Sequence, residues 1–348
     1  MVLRTLLAGL LLFSLSGQLY AKTYTLKFAT LMPTGTSWTK LLDEWVEEVE
    51  EKSEGRLKFR MYPGGVMGDE PDVLRKIRKG QLHGGMFTGY GIGRIYSPAR
   101  VLEVPFLFKN TDESDYVRTQ MMPELEAGFS ESGFELLGWP EVGFIHFFSK
   151  RPITSMDDIR KLNIWLWQGD PLGEAFFKAA AIDPVPLSVI DVYTQLSARH
   201  GSIDTVYISS FGAIALQWYT KLNYASRIPF TNAIGGLVVS NRFYNKLPQD
   251  LQQLLKTTGK KLGDDIRLRA REENEKSLAI LEKNGIEFMF DWSDVDMNDM
   301  LEIRDLAASH LEHTNYIPAA TFARAQKLVT DFREQHKLDN QAANPSAP

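Results

Sequence analysis

Residues 24–62, YTLKFATLMPTGTSWTKLLDEWVEEVEEKSEGRLKFRMY, decide the fold class. Tyr24, Leu26 and Phe28 alternate with polar neighbours, the period-2 signature of a strand with one buried face. Trp38, Leu41, Leu42, Trp45, Val46 and Val49 then recur at steps of three and four. Lys40, Asp43, Glu44, Glu47 and Glu48 fill the gaps, so the segment is an amphipathic helix, ended near Gly55. Leu57, Phe59 and Met61 alternate again as a second strand. Strand, helix and strand in this order, with a connection long enough for a crossover, predict an α/β fold with parallel strands.

Outward from this stretch the order continues. A helix around Asp72 to Lys79 leads to the apolar strand GQLHGGMFT. The pattern restarts with FELLGW, GFIHFFS and NIWLWQ, a helix from Pro171 to Ala181, PVPL, a further helix and the strand IDTVYIS. Strand-like residues return at GGLVVSN. A long charged helix from about Gln249 to Asn284, the strand GIEFMFD and helices near Val295 to His313 and Pro318 to Gln335 complete the pattern. The 348 residues exceed what one core usually organises, so two lobes are expected. The first takes residues 22–145 and about 229–255. The second takes 146–228 and about 256–335, with the long helix and the C-terminal helices. Residues 336–348 have the composition of a disordered tail.

The N-terminal MVLRTLLAGLLLFSLSGQLYA places Arg4 before an apolar run, Leu6 to Leu15, and then small and polar residues down to Ala21. This is the pattern of a secretory signal peptide at 1–21, with a run shorter than the roughly 20 residues a membrane span needs. A periplasmic location is the expectation. There is no cysteine, which excludes disulfides, thiolate metal sites and cysteine nucleophiles. A net charge of −5 without long runs argues against nucleic acid and anionic membranes as partners.

Motifs that carry chemistry are sparse. Gly89-Tyr90-Gly91-Ile92-Gly93 follows a strand, but its third glycine comes one residue too early for a dinucleotide fingerprint, so a flexible turn at the lip of a cleft is expected. Asp294-x-Asp296-x-Asn298 opens like a calcium loop. It then has Asp299 where glycine is needed and Asp305 where glutamate is needed. An acidic helix N-terminus capped by Ser293 or Asp294 accounts for it. His310 and His313 lack a third ligand and read as surface histidines. Glu47-Glu48 and Asp157-Asp158 sit in solvated contexts. With no Gly-x-Ser-x-Gly, His-Glu-x-x-His or P-loop, no catalytic residue, metal or cofactor is assigned, and the chain reads as a binding protein instead of an enzyme.

Aromatic residues stand out. Trp139, Phe144, Phe147, Phe148, Trp165, Trp167, Tyr207, Phe211, Trp218 and Tyr219 crowd the second α/β unit. Trp165 and Trp167 share one strand face, as do Ile145 and Phe147 on the expected neighbouring strand. A face so wide and aromatic is either core or the wall of a pocket.

These blocks resemble a family. LKFATLMPTGTSWTKLLDEWVEEVEEKSEGRLKFRMYPGGVMGDEPDVLRKIRKGQLHGG, VPFLFKN, SKRPITSMDDIRKLNI, IDPVPLSVIDVYTQL and GSIDTVYIS are similar, in order and spacing, to the DctP-type receptors of tripartite ATP-independent periplasmic (TRAP) transporters. The resemblance implies two α/β lobes joined by crossing strands and a long helix. A ligand would be caught in the groove between them and delivered to the small and large membrane subunits of an ion-driven permease. It also implies an arginine where this chain has Trp165, and in some relatives a second one at Ile145. Tyr207 and Ile208 stand where a glutamate and an asparagine are usual. An arginine fork suits a substrate carboxylate, so its loss points to a more apolar ligand: lipid-like, isoprenoid or aromatic.

The candidate ligand-binding residues are Trp165, Trp167, Ile145, Phe147, Tyr207, Ile208, Phe211, Gly89 and Tyr90. The alternatives are an organic-acid receptor in which Arg94, Arg227 or another base replaces the arginine, and a permease-independent carrier that hands its ligand to an accessory periplasmic protein.

Overall fold

The computed structural model describes residues 22–289, 291 and 297–343. The signal-peptide assignment at 1–21, the caps at Ser293 and Asp294 and the end of the expected tail lie outside the described residues. Among those described, no helix is long and apolar enough to cross a membrane.

The first lobe opens with β1 (Tyr24–Thr30), α1 (Ser37–Lys52) and β2 (Leu57–Tyr62), with β1 and β2 parallel. Thr36 starts α1 by accepting the Thr39 N–H, and the helix buries Trp38, Leu42, Trp45 and Val49 against the sheet. The Trp45 ring lies edge-on to Phe28 and Phe59, with centroids 5.9 and 4.9 Å away. Then come α2 (Glu70–Arg78), capped by Asp69, and β3 (Gly84–Thr88), parallel to β1 on its other side. The one-turn α3 (Gly89–Gly93), a 3-10 segment at Ser97–Glu103, α4 (Thr111–Glu131) and β4 (Phe134–Gly138) follow.

The chain passes through β5 (Glu141–Ser149) into the second lobe: α5 (Met156–Ile159), β6 (Trp165–Trp167), α6 (Pro171–Ala179), β7 (Val185–Leu187), α7 (Val189–Ser197), β8 (Thr205–Ser209), α8 (Ser210–Ala215) and β9 (Tyr224–Ser226). It returns through β10 (Thr231–Ser240) to α9 (Asn241–Tyr244), then α10 (Gln249–Lys283), β11 (Glu287–Met289), α11 (Met297–His313) and α12 (Ala319–Ala343). Two strands serve both lobes. The first half of β10 pairs with β5, and its second half with β3 and β4, all antiparallel. The far end of β5 pairs with β8 and β9. The sheets are therefore mixed: the crossover strands run parallel as expected, while the crossing strands run against them.

Helix α10, 35 residues long, braces this crossing. Leu251, Leu255, Leu262 and Ile266 join Leu26, Phe28 and Trp45 in the core of the first lobe. Further along, the Asn274 side chain donates to the Val142 carbonyl and accepts the Phe211 N–H, both at 2.9 Å. Leu281 packs into the second lobe with Val206 and Trp218.

Three expectations need correction. Helix α12 packs on α4 in the first lobe, with Ala325 and Val329 among Val117, Met121 and Leu125, although the chain order placed it with the second. It also continues through residues expected to be a disordered tail, as far as Ala343. Gln, Lys, Leu and Ala there are good helix formers, and Arg333 anchors the helix through a double ion pair with Glu113 at 2.7 and 2.8 Å. Finally, β6 pairs with β7, and Ile164 bridges Thr205 of β8, so β8 and not β6 is the neighbour of β5.

Candidate ligand-binding site

A cavity of about 480 Å³ lies between the lobes. The β1–α1 connection lines it with Leu31 and Met32, the start of α1 with Trp38, the end of β3 with Thr88, and α3 with Gly89 and Tyr90. Strand β6 supplies Trp165 and Trp167, the β8–α8 corner supplies Tyr207, Ile208 and Phe211, and the crossing strands supply Ile145 and Thr231. Such a cleft at strand ends, between domains, is the usual place for a small-molecule site in α/β folds.

The aromatic wall is interlocked. Trp165 stacks on Tyr207 with centroids 4.9 Å apart and meets Trp218 edge-on at 5.4 Å. Its Nε1 donates to the Leu187 carbonyl at 3.0 Å, which fixes the ring. Tyr207 Oη accepts the Trp167 backbone N–H at 3.3 Å, and burial pushes its pKa upward. Trp167 reaches across the cleft to Tyr90, centroids 4.8 Å apart, and Tyr90 Oη donates to the Gln168 carbonyl at 2.8 Å.

Trp165, Trp167, Ile145, Tyr207, Ile208, Phe211, Gly89 and Tyr90 all line the cavity, and Phe147 does not. Phe147 does share a strand face with Ile145, but Phe230 of the chain entering β10 stacks over it at 4.8 Å and takes the lining position itself. The glycine run is likewise not a flexible turn. Residues 89–93 form a buried helical turn, and a Cβ on Gly89 would sit 2.0 Å from Glu103 Oε2, on Gly91 2.4 Å from Glu70 Oε2, and on Gly93 2.4 Å from Tyr316 Oη. Close packing, not φ, demands glycine here.

Sequence reasoning missed the charged part of the wall. Arg100, Glu103 and Asp170 are the charged residues lining the cavity among those described, and each is at most 5% exposed. Arg100 Nη1 and Nη2 fork onto the Asp170 carboxylate at 2.8 and 3.1 Å, across the cleft. Its Nε lies 2.5 Å from Glu103 Oε2. Asp170 also caps α6 through the Leu172 N–H, and Glu103 accepts the Ile234 N–H at 2.7 Å. Burial opposes the Arg100 charge, but the two carboxylates outweigh it and hold the guanidinium protonated. Burial pushes the Glu103 carboxyl above its usual range, with Arg100 pulling the other way. The available signals were the i, i+3 spacing of Arg100 and Glu103 and an acid before Pro171, a helix-cap pattern.

A second contact across the cleft centres on Asp69. Its carboxylate caps α2 through the Glu70 N–H and also accepts from Trp167 Nε1 at 3.0 Å, Ser188 Oγ at 2.5 Å and the Val189 N–H at 3.3 Å. Neighbouring Glu70 is buried, and burial lifts its pKa to about 8 against the Thr88 hydrogen bonds. The two bases considered as replacement anchors lie elsewhere. Exposed Arg94 sits over the Tyr90 ring at 5.3 Å, and Arg227 pairs with Glu282 at 3.4 Å. Neither lines the cavity. No group of three or more His, Asp or Glu is placed to hold a metal among the described residues, and His313 Nδ1 is 2.6 Å from the Ser309 carbonyl.

The family model DctP, bacterial extracellular solute-binding protein family 7, matches residues 28–302. The chain belongs to this family. The resemblance read from the sequence blocks is thus borne out. Among curated relatives of this DctP-family chain, the 2,3-diketo-L-gulonate-binding periplasmic protein of Escherichia coli K12 is 22% identical, over 74% of this chain and 79% of the relative. A TRAP periplasmic solute-binding protein from Pseudomonas putida F1, solved with bound D-glucuronate, superposes with a TM-score of 0.78 at 21% identity, covering 88% of this chain and 97% of that one. The sugar acid binding protein of Advenella mimigardefordensis, solved with galactonate, gives 0.79 at 18% identity, covering 89% and 99%. These likenesses show that the DctP-family chain has their two-lobed fold.

Proposed function

We propose that this DctP-family protein is the periplasmic solute receptor of a TRAP transporter, closing on a ligand that presents mainly apolar surface and delivering it to the membrane permease. Membership of a solute-binding family and the fold shared with TRAP receptors support the receptor role. The observation that carries the ligand class is the aromatic wall built by Trp165, Trp167, Tyr207 and Phe211. The resemblance places carboxylate-binding arginines at Trp165 and Ile145, and both are apolar here. An acid entering this wall would lose hydration without regaining a fork, whereas apolar area gains about 25 cal/mol per Å² buried.

A second reading has support of its own. The relatives solved with D-glucuronate and galactonate bind sugar acids, and Arg100 does line the cavity, so an organic acid could displace Asp170 from its fork. Equilibrium binding separates the two. The apolar reading expects weak or no binding of D-glucuronate and galactonate, and tight binding of at least one aromatic or isoprenoid compound that Trp165→Arg weakens at least tenfold. Tight sugar-acid binding that survives Trp165→Arg establishes the second reading instead. Two permease genes beside this one would mark a transport receptor, and their absence a carrier that works through another partner.

A further inference from the structure

The cavity's charges are already spent on one another. Arg100 places the fork of its Nη1 and Nη2 on Asp170, and its Nε, which makes no aligned hydrogen bond, is ion-paired with Glu103 Oε2 at 2.5 Å, so both edges by which a guanidinium holds a carboxylate already face an acid of the protein. The charge balance points the same way. With Glu103 ionised, one cation faces two carboxylates and the cluster is negative; with Glu103 protonated, it is neutral. In neither state does a ligand carboxylate find net positive charge, and each of the three groups is at most 5% exposed, so water does little to screen them. The carboxylate oxygens keep lone pairs beyond those that Arg100, the Leu172 N–H and the Ile234 N–H use. A polar ligand group reaching this part of the wall therefore meets acceptors on Asp170, and on Glu103 where it is ionised.

We infer that Asp170 and Glu103 set the specificity of the cavity for a hydrogen-bond-donating polar group, a hydroxyl or a protonated amine, and against a carboxylate. Asp170 acts as a built-in occupant of the fork that an acid ligand would take. Displacing it would strand a carboxylate that is 5% exposed, an outcome more costly than the new pair is favourable. A hydroxyl or ammonium needs no displacement. It adds one donor to an oxygen already fixed in place, and an ammonium also neutralises the excess charge. The inference rests on the apolar reading of the ligand body and adds the chemistry of its polar end.

Matched probes test it. Alcohol, amine and acid with one shared body, such as indole-3-ethanol, tryptamine and indole-3-acetate, with equivalent phenyl and geranyl sets, are titrated calorimetrically against the full chain. The expected result is that the alcohol or amine of at least one set binds tenfold or more tightly than its acid, and that Asp170→Asn cuts this preference at least tenfold by releasing the Arg100 fork. Because Asp170 also caps α6, Glu103→Gln is the second variant, and it should shift the preference the same way. An acid bound more tightly than its alcohol and amine by the unmodified protein leaves the apolar reading standing and overturns this inference. So does a preference that neither variant moves. Sets in which nothing binds count against the apolar reading and this inference together.

Discussion

His146 shows how one residue ties the second lobe's sheet to pH. It sits on β5, 9% exposed, with Nδ1 3.0 Å from the Ser226 carbonyl. Burial pushes its pKa down from 6.5 to about 4, only partly opposed by that carbonyl. Above pH 6.5 both folded and unfolded forms are neutral, and the contribution to stability is complete. As pH falls from 6.5 to about 4, the unfolded chain takes up a proton that the folded chain refuses, so stability is lost across that window. Denaturant midpoints at pH 7 and pH 5 should therefore differ less for His146→Gln than for the unmodified chain. Equal differences in the two proteins would show that His146 does not contribute.

The same scale shows what the sequence made legible. Trp165 and Trp167 could be placed on one wall from their spacing alone, because a strand puts alternate residues on one side. Phe147 could not be separated from Ile145 by that rule, since what covers it is Phe230, brought in by the far strand β10. Arg100 reads locally as an ordinary base. Its partner Asp170 is 70 residues away in the other lobe, and only the folded chain joins them.

At the scale of elements, α10 is seated on the first lobe by its close approach to β4 and the residue after it, before it runs on to the second lobe. A Cβ on Gly259 would lie 2.7 Å from Leu137 Cβ, and one on Gly263 2.7 Å from the Trp139 nitrogen. Alanine is worth about 1 kcal/mol over glycine inside a helix, so an unhindered site would be stabilised by the change. Here backbone meets backbone and the strand has to move. Gly263→Ala is expected to destabilise the chain by about 1–3 kcal/mol, read from denaturant midpoints, in place of the gain that propensity alone would give. A stabilised variant would mean that α10 and β4 have room to part. The helix itself was legible from its charged periodicity, whereas its role as a brace was not, because the glycines acquire meaning only against Gly138 and its neighbours. The same limit applies to α12, whose polar last turns resemble a disordered tail in composition and follow directly on the turn that the Arg333–Glu113 pair anchors.

For the whole molecule, the two-lobed plan followed from the restart of the strand-helix pattern and from length. Where the lobes grip each other did not. Asp69, Tyr90 and Arg100 on one side meet Trp167, Gln168 and Asp170 on the other, and these contacts join the lobes across the cleft. Asp69→Asn keeps a good helix cap but presents an N–H₂ to donors, so it should weaken the latch without unfolding α2. Ligand affinity is expected to fall about tenfold, roughly 1.4 kcal/mol, with the loaded variant less compact by small-angle scattering than the loaded unmodified protein. Unchanged affinity and radius would show that Asp69 only caps its helix.

If the cleft holds its ligand by aromatic and apolar surface, as proposed above, the identity of the natural ligand shows it most directly. Mass spectrometry of compounds extracted from the protein purified from its own cells should yield a single small compound with an apolar body, absent from Trp165→Arg prepared in the same way. Recovery of a sugar acid or dicarboxylate from the unmodified protein, with no apolar compound beside it, would contradict the claim.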